Sequence, residues 1–219
     1  MLRLLFEKTG NAIFISHLDL MRLFQRAFQR AGLHLKHTQG FNPRPSVSIA
    51  LPLSVGIESY CELLDFELDG QQVPCEQILQ ELNQVLVSGI RVLKVYDNGA
   101  KLKTLSLLKS SLRLEYDSGV PQNAVQAITE LFQRNQVLVP KKTKNGMQEQ
   151  DLIPMIRSLC VTQQDSQTLI LTVLGCCQNP TLNPMQLHSA ITLFLPELTP
   201  DFVFCSRLEV YDENESIFR

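Results

Sequence analysis

The chain has 219 residues, 44% of them apolar and 19% charged, with a net charge of −2. That composition belongs to a globular protein and excludes a mainly disordered one. No apolar run approaches the roughly 18 to 20 residues that cross a bilayer, and MLRLLFEKTG is too short an apolar start to read as a secretory signal, so the cytoplasm is the expected location.

LRLLFEK reads as a strand, ended by the turn Thr9-Gly10-Asn11. Ser16 suits a helix N-cap, with Asp19 in the first turn. Leu20, Phe24, Ala27, Phe28 and Ala31 then recur at helical spacing before Gly32, a good C-terminal stop, so residues 17–31 are expected to form an amphipathic helix. A strand start is expected at Leu33–His37, followed by the loop TQGFNPRP. Strands are expected over Ser46–Val55 and Tyr60–Leu68, a helix over Glu76–Leu86 and a strand at IRVLKVY. This order of strand, helix, two strands, helix and strand predicts a ferredoxin-like α+β unit.

After about residue 100 the same order returns. LRLEYDS, a strand near Gln136–Pro140, IRSLCVT, TLILTVL and FVFCSRLEVY read as strands, and NAVQAITELFQRN and PMQLHSAITLFL as helices, with a short helix or turn at DLIPMI. The expected fold is α+β, two ferredoxin-like (βαββαβ) halves with antiparallel sheets, covering residues 1–97 and 104–219.

Charge alternates along the chain: residues 1–50 carry seven Lys/Arg against two Asp/Glu, and residues 51–100 two against eight. Three stretches could carry chemistry. Arg22, Arg26 and Arg30 fall at i, i+4, i+8 on the first helix with no acidic partner at i±4, a stripe suited to an anion such as phosphate or else a solvated helix face. In Gly40-Phe41-Asn42-Pro43-Arg44-Pro45 the two prolines stiffen the loop. Phe41 and Arg44, with Asn42 between them, would then suit stacking on a base and pairing with phosphate, unless Phe41 plugs the core. Lys141, Lys142 and Lys144 make a basic turn that is an RNA contact or a soluble hairpin tip.

Histidines 17, 34, 37 and 188 show no metal spacing, and no metal or cofactor is expected in this chain. His17, at the first helical position, is a candidate general base, or else a residue that caps or packs. Glu58, Glu62, Asp65 and Glu67 read as a solvated sheet face. The six cysteines contain no Cys-x-x-Cys and no triple spacing for an iron–sulfur cluster, so reduced structural thiols are expected.

The run Ser16-His17-Leu18-Asp19, Arg22, Arg26-Ala27, Arg30-Ala31, Gly40-Phe41-Asn42-Pro43, Pro52-Leu53 and Val55-Gly56 resembles the radical-SAM-linked family. This is a bacterial domain of unknown function encoded beside or fused to a cobalamin-binding-type radical SAM protein. Beyond residue 70 the likeness thins to Lys144-Asn145-Gly146, Asp151 and Pro154, and Ile153 stands where that pattern has arginine. The resemblance implies a radical SAM protein as partner. The absence of a cluster triad from this chain makes an accessory role the matching expectation.

Three functions follow as expectations. The first is a non-catalytic RNA-binding or substrate-presenting module working with a radical SAM enzyme. The second is a metal-independent RNA-processing enzyme using His17. The third is a protein-interaction scaffold for the radical SAM partner.

Overall fold

The computed structural model describes residues 1–70, 72–143 and 146–219; Lys144 of the basic turn lies outside the described residues. The fold mixes α and β, with four α-helices among the described residues and antiparallel strand pairing within each of two compact units. One unit is Met1–Leu102 with Arg219, the other Lys103–Phe218.

The first unit holds β1 (Leu2–Lys8), α1 (His17–Arg30), β2 (Val47–Ile49), β3 (Glu58–Phe66), α2 (Cys75–Val85) and β4 (Ile90–Asp97). Its strands lie in the order β4, β1, β3, β2. α1 starts where the Ser16 hydroxyl accepts the Asp19 amide at 3.2 Å, the N-cap its sequence calls for. Leu20, Phe24, Ala27 and Phe28 are at most 1% exposed. The Phe24 ring meets Phe6 of β1 edge-on, centroids 4.7 Å apart, and Phe28 meets Phe66 of β3 at 4.8 Å. Removing one such ring from a close-packed core costs about 3–5 kcal/mol.

Three expectations change. The strand expected over residues 46–55 survives only as Val47–Ile49, and the chain then leaves the sheet through a segment containing Pro52, which has no amide hydrogen to give a ladder. Leu33–His37 forms no strand and makes only isolated bridges, Leu35 to Leu68 and His37 to Pro45.

The third correction concerns the acidic cluster: Glu58 and Glu67 stay partly exposed, but Glu62 and Asp65 are buried and not on a solvated face. Cys61–Phe66 is buried at every position, so both faces of this strand are covered, a condition that residue spacing alone does not reveal. Glu62 accepts the Ser59 hydroxyl at 2.7 Å. Asp65 accepts from Arg3 Nε at 2.5 Å and Nη2 at 3.0 Å, and Arg3 Nη1 donates to the Ala100 carbonyl at 2.9 Å.

The second unit holds β5 (Leu105–Glu115), α3 (Ala124–Phe132), β6 (Leu138–Thr143), β7 (Gly146–Asp151), β8 (Ile156–Gln163), β9 (Thr168–Cys176), α4 (Met185–Phe194) and β10 (Phe202–Asp212). The order is β10, β5, β9, β8, with β6 and β7 forming a separate two-stranded sheet. β7 is absent from the expected elements. Asp151 has a structural use: its carboxylate accepts the amides of Val137 at 3.0 Å and Ile153 at 3.2 Å, tying the foot of the hairpin.

Asp65→Ala would strand the Arg3 guanidinium in a buried setting without its counter-charge, and should cost about 3–5 kcal/mol of stability in urea unfolding. A loss near 0.5 kcal/mol, ordinary for a surface change, would show that the pair is not a structural anchor.

Candidate functional site

The site grows out of the end of α1. Gly32, at φ +70°, occupies a position that a side chain resists. There the Gly32 amide donates to the Gln29 carbonyl at 3.2 Å and the Leu33 amide to the Phe28 carbonyl at 2.9 Å. This paired closure turns the chain back beside the helix. Leu33 and Leu35 point inward, 3% and 9% exposed, while His34, Lys36 and His37 face solvent. Backbone bonds from Lys36 to Glu67 (2.9 Å) and from Asp69 to His34 (2.8 Å) fasten this segment to the residues after β3.

Between the helix flank and the returning segment lies a cleft of about 590 Å³, lined by Gln25, Arg26, Gln29, His34, His37 and Asp69 over an apolar floor of Phe28, Leu33 and Leu35. That volume falls in the range of small-ligand sites. Pro45, also in the lining, and His37 stand at the foot of the proline loop.

The loop has a closed neck. The Thr38 amide donates to the Arg44 carbonyl at 2.8 Å, and the Arg44 amide to the Thr38 hydroxyl at 3.0 Å. Phe41 at its tip is fully exposed, at 106% of the reference area, so it does not plug the core. Asn42 and Arg44 are exposed with it.

The arginine stripe divides by partner. Arg22 pairs with Asp19 at 3.0 Å, one turn back at i−3, a partner outside the i±4 spacing considered from sequence. The Ser16 hydroxyl and then Arg22 hold the Asp19 carboxyl below the usual carboxylate range. What Asp19 contributes to the helix start is therefore present above the ordinary carboxylate pKa and lost as pH falls through its lowered one. Arg30 donates to the Val85 carbonyl at 2.6 Å. Among the described residues, Arg26 and the Arg44 side chain form no ion pair, and Arg26 is the member of the stripe that lines the cleft.

The other sequence candidates stand apart. His17 begins α1, about 13 Å along the helix from Arg26 at 1.5 Å per residue, and does not line the cleft. Its Nδ1 is buried without a hydrogen-bond partner. Lys141 and Lys142 are exposed on β6 of the second unit. Sequence reading missed His34, His37 and Asp69 as members of one site. Their meeting depends on the reversal at Gly32 and on pairing near Leu68, and no local pattern announces either.

Within this antiparallel α/β fold, then, an aromatic loop with a closed neck borders a cleft with a polar rim, carrying an arginine that forms no ion pair among the described residues. Residues 1–184 match the family described as an uncharacterized protein conserved in bacteria (DUF2344), and the chain belongs to that family. No curated protein matches it. Among solved structures it is similar to a chain of a Cbf5–Nop10–Gar1 complex, at 7% identity over 97% of this chain and 50% of that one, with a TM-score of 0.50. It is also similar to a chain of the archaeal box H/ACA sRNP Nop10–Cbf5 complex, at 8% identity over 94% and 46% and a TM-score of 0.48. The chain thus spans about half the length of these structures. Identity this low shows a likeness of fold alone.

Arg26→Ala should weaken retention on a heparin matrix more than Arg22→Ala, because Arg22 is already neutralised. Asp19→Asn should strengthen retention by releasing Arg22. Equal losses for the two arginines would mean that pairing does not divide the stripe.

Proposed function

We propose that the protein is a non-catalytic module that binds unpaired RNA at the α1 cleft and the Phe41 loop, and presents it to a radical SAM modification enzyme. The carrying observation is the fully exposed Phe41 on a neck-closed loop that also carries exposed Arg44 and whose foot, at His37 and Pro45, lines the same cleft as Arg26; neither arginine forms an ion pair among the described residues. An exposed phenyl ring in water is unfavourable, whereas stacking on a base covers it whatever the base's identity. The arginines offer forked donors to the phosphates on either side. The prepaid closure of the loop lowers the ordering cost of binding.

In this reading the units are ferredoxin-like halves of a duplicated architecture, divided near residues 97–103. The orders β4-β1-β3-β2 and β10-β5-β9-β8 support it, since, with the separate β6–β7 hairpin left aside, each puts the first of four strands between the fourth and the third. The cytoplasm is the proposed location; no helix among the described residues is long and apolar enough to cross a membrane. The radical SAM partner rests on the resemblance of residues 14–68 to the radical-SAM-linked family. Lys141 and Lys142 are a further RNA contact by their charge.

Two observations favour secondary readings. Phe14, just before α1, and Leu18, in its first turn, are each 67% exposed and favour a protein contact there, as a scaffold for the partner enzyme would need. The unpartnered Nδ1 of His17 favours a reading in which that imidazole meets a substrate. Under it, His17→Ala would abolish RNA cleavage while leaving binding intact.

Binding of a fluorescent single-stranded RNA should weaken by about sevenfold between about 50 and about 200 mM salt if Arg26 and Arg44 each neutralise one phosphate. Phe41→Ala should cost about 1–3 kcal/mol of affinity without changing the salt slope. Salt-insensitive binding, or none, would overturn the proposal.

A further inference from the structure

A carboxylate is out of place in a cleft built for an anion. Asp69 lines the same cleft as Arg26, is exposed, and among the described residues its side chain forms neither an ion pair with Arg26 nor a hydrogen bond. Its position is nonetheless held, because its amide donates to the His34 carbonyl at 2.8 Å. The backbone is therefore fixed at the cleft wall, and the carboxylate it carries forms no ion pair among the described residues. That carboxylate would repel a phosphate, so whatever meets it must donate hydrogen bonds.

We infer that Asp69 makes this cleft a reader of one unpaired guanine. The inference rests on the RNA-binding reading and names its base specificity. Guanine alone among the four bases carries two adjacent donors, N1–H and N2–H, on its Watson–Crick edge, and a carboxylate accepts both at once. Uracil offers a single N3–H between two carbonyl oxygens. Adenine and cytosine each set one amino group beside a bare ring nitrogen, whose lone pair faces a carboxylate oxygen unfavourably.

The rest of the cleft fits the same base. Leu33 and Leu35 give an apolar floor for its face, and Gln25 and Gln29, one helical turn apart, supply amide donors suited to O6. Arg26 is left for the phosphate, and Phe41, on the loop that rises from His37 and Pro45, for a neighbouring base. Unpaired RNA exposes its Watson–Crick edges, which is how such modules read sequence.

The test measures anisotropy with a nine-residue oligouridine and with variants carrying one central guanosine, inosine, adenosine or cytidine. The guanosine oligomer should bind about tenfold or more tightly than oligouridine, the scale of one net hydrogen bond to a charged group. Inosine, lacking the 2-amino group, should lose most of that gain. Asp69→Ala should erase the guanosine preference, the guanosine oligomer and oligouridine then binding alike. Circular dichroism melts should confirm an unchanged fold. Equal affinity for all oligomers, or a preference that survives Asp69→Ala, would overturn the guanine assignment and leave the RNA reading standing. Absence of binding to every oligomer would overturn both.

Discussion

The burial of one face of α1 is the constraint on which the site depends. Leu20, Phe24, Ala27 and Phe28 are held against β1 and β3 by ring contacts under 5 Å. A helix pinned along one stripe cannot roll, so its opposite flank has a fixed direction. Arg26 follows Gln25 and precedes the buried Ala27; the packing that hides Ala27 therefore aims Arg26 at the cleft edge. The helix also ends at a set place. Gly32 reverses the chain so that Leu33 and Leu35 extend the apolar floor while His34 and His37 become its polar rim.

Electrostatic pairing then sorts residues that look alike in sequence. Arg22, Arg26 and Arg30 share a stripe and a residue type, yet one answers Asp19, one answers a backbone carbonyl, and one answers nothing among the described residues. A surface pair such as Arg22–Asp19 adds little stability. Its effect is to subtract a charge from one end of the stripe, leaving the open cation where the cleft and the loop meet.

Much of the fold was legible because its signals are local. The Ser16 cap, the helical spacing from Leu20 to Phe28 and the Gly32 stop fix α1 almost to the residue, and the alternation of strands and helices gives most of the element order, missing β7 and adding a strand at Leu33–His37. The site was legible in part. Gly40 to Pro45 announces a stiff, displayed loop, and Phe41 is displayed. What stayed hidden is what tertiary contact decides. Glu62 and Asp65 look like surface acids until both faces of β3 are covered, and Asp69 carries no local signal until His34 is drawn against it. The Arg30 bond to Val85 joins residues 55 apart in the chain, beyond the reach of any periodicity.

The lone ring at the loop tip also sets a limit on stickiness. Covering a phenyl side chain releases about 1.5–3 kcal/mol, while bringing two molecules together costs an estimated 4–15 kcal/mol in lost freedom of motion. Phe41 by itself therefore falls short of gluing one copy of the protein to another. Its narrow neck keeps the adhesive area to a single side chain, and a lasting grip requires a surface that engages several groups together. The loop behaves as one tooth of a ratchet: weak against casual encounters and effective only when its neighbours engage as well.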